Sequence, residues 1–295
     1  MPVSKLNDPQ AAQQALLAMF AEDMFDPDPS HWNPAGAAVA AKGWTIIGYL
    51  TAANAVLEGQ RLGLGQRVYF GFVAQSTAAP GKFIAVIRGT EQFVEWIENI
   101  EGLLVPYAGG GCVEDGFFSI YSSMYFTLAT AAGPTVNNGP HDDSKAAKGI
   151  AGILPPHSEV TVIGHSLGAA MATYLMLDLA ESANGAFLVK GALFASPNTG
   201  NAAFVQRVDH AIADYKLYDY IFDLVTHVPP RLPVDPLGIG FHPLPKAISI
   251  TSNNRQARIK QDVFCNHHAY CYAAMLDYSS VAASATTAEC IEGKA

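Results

Sequence analysis

The stretch from Glu159 to Ala172, EVTVIGHSLGAAMA, narrows the choice of folds more than any other part of this chain. Val160, Thr161, Val162 and Ile163 form a short β-branched, apolar run of the kind buried in a parallel sheet. Ala169-Ala170-Met171-Ala172 is a strong helix former. Between the two stand Gly164-His165-Ser166-Leu167-Gly168. Strand, G-x-S-x-G and helix in succession is the setting of a nucleophile elbow. A turn so tight leaves no room for side chains at Gly164 and Gly168, and it projects Ser166 from the end of the sheet. The helix that follows aims its first N–H groups and its positive dipole end at whatever Ser166 attacks. The plain alternative is a serine in an ordinary strand-to-helix turn; the two flanks favour the nucleophile.

The pattern around the elbow extends the fold. Asp8-Pro9 opens an N-capped helix over Gln10–Met24, part of a helical extension across residues 1–30. The Pro- and Asp-rich segment Phe25–Ala35 reads as a linker. Helical stretches at Ala35–Ala41 and Thr51–Gln60 bracket the apolar WTIIGYL, and Arg67–Gln75 with Lys82–Arg88 read as a hairpin. The pattern then turns amphipathic, with Phe93, Trp96, Ile97, Ile100 and Leu104 at helical spacing. A long helix is expected over Gly116–Ala131, a surface insertion over 133–144, and a short helix over Lys145–Leu154. Beyond the elbow, strands at Lys190–Ala195, Leu217–Phe222 and His242–Thr251 alternate with a helix at Ala202–Tyr215. Such alternation predicts an α/β fold with a mainly parallel sheet covered on both faces. No repeat and no boundary divides the chain, so one domain over 1–295 is expected.

A serine hydroxyl is a weak nucleophile and needs a base that is itself oriented by a carboxylate. In elbow-bearing folds the acid follows the serine and the histidine comes last. Asp223, at the end of LYDYIF, has the acid's position just past a strand; Asp219 lies inside that strand and Asp235 deep in a Pro-rich loop. A turn-capping role is the other reading of Asp223. The histidines downstream of Ser166 are His210, His227, His242, His267 and His268, and spacing alone does not choose between the last two.

The chain resembles the class 3 lipase family of α/β-hydrolases, the group of the filamentous-fungal triacylglycerol lipases. The likeness rests on GHSLGAA at Gly164–Ala170, on Arg88-Gly89-Thr90 with Trp96 six residues after Thr90, and on the Pro197-Asn198-Thr199-Gly200-Asn201 turn. Asp223-Leu224-Val225-Thr226-His227-Val228-Pro229 and His267-His268-Ala269-Tyr270 complete it. Alignment on Tyr270 makes His267 the base and leaves His268 as the alternative. The resemblance also implies an oxyanion hole from the backbone N–H groups of Thr90 and Leu167. It implies a lid over 91–107 whose apolar face is Phe93, Trp96, Ile97 and Ile100; simple packing on the core is the competing role for that helix. Ala195 stands where the family often has glycine, and Thr226 replaces a proline.

The activity implied is a triacylglycerol lipase acting through a Ser-His-Asp triad on lipid or ester substrates, with a lipid–water surface as a possible partner. A short-chain carboxylesterase, a phospholipase A1 or a feruloyl-type esterase would share that triad. A non-catalytic lipid-binding module of the same fold is a remote alternative. No organic cofactor is implied and no metal either, since Cys112, Cys265, Cys271 and Cys290 fit no zinc spacing. Those cysteines allow one or two disulfides or none. A formal charge of −9 without a basic run argues against nucleic acid as a partner. No run of about 18 apolar residues predicts a transmembrane segment. The N-terminus lacks the pattern of a secretory signal, which leaves a secreted mature form and a cytoplasmic protein equally compatible with the chain.

Overall fold

The computed structural model describes residues 5–28, 31–53, 67–90, 102–133, 145–281 and 289–295. Eight strands form the central sheet: β1 (Trp44–Ala53), β2 (Arg67–Ser76), β3 (Lys82–Ile87), β6 (Tyr125–Leu128), β7 (Glu159–His165), β8 (Leu188–Phe194), β10 (Tyr215–Tyr220) and β12 (Ala247–Ile250). Four short strands make a second sheet: β4 (Leu104–Pro106), β5 (Cys112–Glu114), β9 (Gly200–Asn201) and β11 (Phe241–His242). β13 (Ala257–Ile259) pairs with β14 (Ile291–Lys294). The central order is β12-β10-β8-β7-β3-β2-β1-β6. From β12 to β3 neighbours run parallel; β2, β1 and β6 continue antiparallel. This is the mainly parallel sheet of an α/β-hydrolase.

Two apolar cores lie on opposite faces of that sheet, and the period of two along the strands assigns residues to each. In β3, Phe83, Ala85 and Ile87 face one core, whereas Ile84 and Val86 face the other. The helix Leu167–Ala183 fills the first. It is apolar all round, as a fully buried helix must be, with every residue from Leu167 to Leu177 buried. The N-terminal helix Pro9–Asp23 and the helix Ala269–Leu276 fill the second, packing on each other through small residues such as Ala12, Ala15, Ala273 and Ala274. Asp8 caps the N-terminal helix by accepting from the Ala11 N–H at 3.0 Å, and its other oxygen accepts from the Tyr218 hydroxyl at 2.6 Å.

Several expected elements are corrected. The helix expected over Gly116–Ala131 stops at Ser122; Tyr125–Leu128 is an edge strand paired antiparallel with Gly48–Thr51 of β1. Ser123 makes the break, its hydroxyl donating to the Ile120 carbonyl and accepting from the Ala53 N–H, and the aromatic and β-branched residues that follow suit a sheet. Thr51–Ala53 belongs to β1 rather than to a helix. The strand expected over His242–Thr251 is two pieces, β11 and β12. Of the lid candidate over 91–107, residues 91–101 lie outside the described residues, and Leu104–Pro106 is strand β4, paired with Cys112–Glu114, rather than a continuation of an amphipathic helix. All but the first residue of the 133–144 insertion and the rest of Thr51–Gln60 also lie outside the described residues.

Candidate active site

The elbow forms because the glycines permit close backbone contact. A Cβ on Gly164 would lie 2.3 Å from the Gly168 carbonyl oxygen, and one on Gly168 would lie 2.3 Å from that of Ile87. Between them Ser166 adopts φ 57° and ψ −128°. A non-glycine residue in such a region stores on the order of 1–3 kcal/mol, tolerated here because packing on every side over-determines the turn.

Ser166, Asp223 and His267 come together at the carboxyl ends of the strands, although 44 residues separate His267 from Asp223 and 101 separate it from Ser166. His267 Nδ1 lies 2.9 Å from Asp223 Oδ2 and 3.1 Å from Oδ1. A carboxylate only accepts, so Nδ1 carries the proton and Nε2 turns its lone pair to the Ser166 hydroxyl, 2.7 Å away. Asp223 is buried, at 1% exposure, and well supplied with donors. It accepts from the Val225 N–H at 2.9 Å and from the Tyr272 hydroxyl at 2.7 Å. Asp223 thus caps the turn at Leu224–His227 and at the same time contacts the His267 ring.

His268 makes its contacts elsewhere. Its Nδ1 accepts from the Tyr270 N–H at 3.2 Å, and its ring packs against Phe264 and Tyr270. Burial, then neighbouring His267, pushes its pKa down to about 4. His227 is exposed, and His242 bonds Asp235 at 3.1 Å. Thr90 is half-buried and shares a narrow cavity with Met19, Glu22, His165, Phe264 and His267. Leu167, directly after the nucleophile, opens the elbow helix with its N–H in the first turn. Phe93, Trp96, Ile97 and Ile100 lie outside the described residues.

Two further groups belong to the site without any signal in residue spacing. The His165 ring bonds the His267 carbonyl at 2.7 Å through Nε2, which must therefore carry the proton. Burial, then His267, holds its pKa well below the ordinary value, so it stays neutral. Tyr272, besides donating to Asp223, accepts from the Tyr220 N–H at 3.0 Å and so ties the acid to β10. Ala195, the departure from the family's glycine, takes φ 52°, the left-handed conformation glycine would favour. Of the cysteines, Cys265 and Cys290 form a disulfide, while Cys112 and Cys271 are free thiols.

The family model described as Lipase (class 3) matches residues 84–232, half of the chain. Phospholipase A1-II 6 from Oryza sativa subsp. japonica is 30% identical over 168 residues, which cover 48% of this chain and 40% of that protein. The chain thus matches less than half the length of this curated relative. The Secreted mono- and diacylglycerol lipase MDL3 of Malassezia globosa is 46% identical over 76 residues, 25% of this chain and 24% of that one. Among solved structures, M37 lipase superposes with a TM-score of 0.63 at 12% identity, covering 94% of this chain and 96% of that chain; it shares the fold. With half its length matched by the family model, the chain belongs to the class 3 lipase family.

Proposed function

We propose that the protein is a serine carboxylic ester hydrolase cleaving lipid esters, triacylglycerols foremost, through an acyl-enzyme. The observation that carries this reading is the unbroken chain from Ser166 Oγ through His267 to Asp223. Ser166 Oγ attacks the ester carbonyl carbon while His267 Nε2 takes the hydroxyl proton, and Asp223 stabilises the imidazolium that results. The carbonyl oxygen, now negative, accepts from the N–H groups of Leu167 and Thr90. Collapse expels the alcohol, which leaves with the proton from His267. Water then enters on the same base, attacks the acyl-enzyme and releases the fatty acid with Ser166 restored.

The surface around the site supports a lipid substrate. Phe222 and Leu224 flank Asp223 in the chain, and Val263 and Phe264 precede His267 on its helix; all four are exposed. Val234 and Leu237 in the Pro-rich loop are each 80% exposed. Exposed apolar side chains on the segments that carry Asp223 and His267 suit a lipid–water interface better than open solvent. Among the described residues no helix is long and apolar enough to cross a membrane.

Hydrolysis of p-nitrophenyl esters is the first test: Ser166→Ala should lower kcat by about 10⁴–10⁶-fold, and an active Ser166→Ala protein sinks the mechanism. Emulsified triolein compared with p-nitrophenyl butyrate separates a lipase, with faster turnover at the interface, from a short-chain esterase. A phospholipase A1 reading is favoured by the name of the rice relative. Release of the sn-1 acid from phosphatidylcholine in excess of triolein turnover would establish that reading in place of the first. Absence of fluorophosphonate labelling would leave a non-catalytic lipid-binding module.

A further inference from the structure

We propose that Arg88 is a positioning residue for the oxyanion hole: its guanidinium grips the Gly89 carbonyl and thereby aims the Thr90 N–H at the developing oxyanion. The inference rests on the hydrolase reading above and adds what sets the angle of one of its donors.

Arg88 is 1% exposed, a rare environment for a guanidinium. Instead of leaving the protein, the side chain curls back over its own turn. Nη1 donates to the Gly89 carbonyl at 2.8 Å and Nε donates to the Tyr69 carbonyl at 2.9 Å. Its flat face lies over the Phe25 ring at 3.5 Å, and Phe70 is 4.6 Å away. The main chain is held as well, with the Arg88 N–H donating to the Phe70 carbonyl at 2.9 Å. Burial pushes the guanidinium pKa down to about 10, which still leaves it charged at neutral pH.

The Gly89 carbonyl and the Thr90 N–H are two ends of one peptide unit. That unit is planar and trans, so the two groups point in opposite directions and cannot turn independently. A donor fixed on the carbonyl therefore fixes the direction of the N–H. The same contact strengthens it, because a charged donor on the carbonyl polarises the amide and makes its N–H a better donor in turn. The turn also lies against the nucleophile: a Cβ on Gly89 would fall 3.1 Å from the His165 carbonyl oxygen and 3.4 Å from Ser166 Cβ. A peptide that close to Ser166 has little tolerance for a wrong tilt. Lysine cannot replace the device, since a single ammonium lacks the planar fork that stacks on Phe25 while reaching two carbonyls. Phe25 comes from the segment after the N-terminal helix, so that extension becomes a buttress of the catalytic turn.

The test compares wild type, Arg88→Lys and Phe25→Leu on p-nitrophenyl butyrate, with rates referred to active sites titrated by a fluorophosphonate, and Ser166→Ala with its rate referred to total protein. Inhibition by an aryl trifluoromethyl ketone, whose serine adduct carries the oxyanion, is measured on the same samples. Arg88→Lys should lower kcat by about 10–100-fold with KM within about 2-fold, and weaken the ketone by the same factor as kcat. Phe25→Leu should move kcat and ketone affinity together by about 3-fold. A role in packing alone would lower thermal stability and leave both constants per active site unchanged, and that result overturns the proposal. So does a fall in kcat without weaker ketone binding. Should Arg88→Lys fail to fold, Phe25→Leu decides by the same two constants. An inactive wild type, or an active Ser166→Ala, condemns the hydrolase reading and not the role of Arg88.

Discussion

His267 and His268 are neighbours of the same residue type, and what separates their chemistry is the set of partners each finds. His267 has a carboxylate behind it and a hydroxyl in front, whereas His268 spends its Nδ1 on the Tyr270 N–H. His267→Ala should accordingly lower kcat on p-nitrophenyl esters by about 10⁴-fold or more, while His268→Gln should keep hydrolysis of the same esters within about 5-fold of wild type. Asp219 gives a second prediction at this scale. Its carboxyl is pushed up from 3.8 to about 7 by burial and then by Asp223, and its Oδ1 has no hydrogen-bond partner. A pKa raised on folding means that the folded protein binds more protons than the unfolded chain between about pH 4 and pH 7. This group's contribution to stability is thus complete below about pH 4 and declines as pH rises to about 7, beyond which it stays lost. Asp219→Asn, which cannot ionise, should melt above wild type at pH 8, with the gap closing toward pH 4. A gap that is constant with pH in calorimetry would refute the assignment.

Elements show the same dependence on surroundings. Gly168 lies in the first turn of the elbow helix, and glycine in an exposed helix is about 1 kcal/mol worse than alanine. That propensity loses here, because the added Cβ would meet the Ile87 and Arg88 carbonyl oxygens at 2.3 and 2.6 Å. Gly168→Ala should therefore destabilise by about 2 kcal/mol or more, read as a lower urea midpoint with the slope unchanged. The helix Val263–His267 offers another case. Cys265, two residues ahead of His267, is bonded to Cys290 just before β14, closing a loop across a separation of 25 residues. Reduction should cost about 3–4 kcal/mol of stability by loop-closure entropy. It should also lower kcat, since the helix that carries His267 loses its tie to the C-terminal hairpin. Equal melting temperatures with and without a phosphine reductant would show that the bond is idle. Cys271 is no exchange partner: burial pushes its thiol up to about 12, leaving almost no thiolate.

At the scale of the whole molecule, an apolar surface near the site belongs to a chain with a formal charge of −9. Adsorption to an anionic lipid surface is opposed by that charge, and the opposition is screened over a Debye length of about 10 Å at 0.1 M salt. Hydrolysis of triolein in zwitterionic emulsions should fall when an anionic lipid is added at low salt and recover as salt is raised. Rates on dissolved p-nitrophenyl butyrate should not change, and equal loss on both substrates would remove the interfacial explanation.

The sequence alone made legible the fold class, the elbow, the candidate nucleophile and acid, and most of the strand-and-helix order on which they stand. Those features are local: a β-branched run, two glycines two residues either side of Ser166, and an aspartate just past a strand are written in neighbouring residues. The family's motifs then preferred one histidine of the pair. The tertiary structure decided what the chain order does not encode, namely contacts made across long separations. His268 is occupied by a helix cap, Tyr272 braces the acid, His165 holds the base's carbonyl and Arg88 grips the turn that carries Thr90. Tyr125–Leu128 joined the sheet because β1 offered an edge, against the helix its neighbours predict. Each such outcome depends on which side chain arrives within 3 Å of which polar atom after the sheet closes, and no spacing along the chain states that distance.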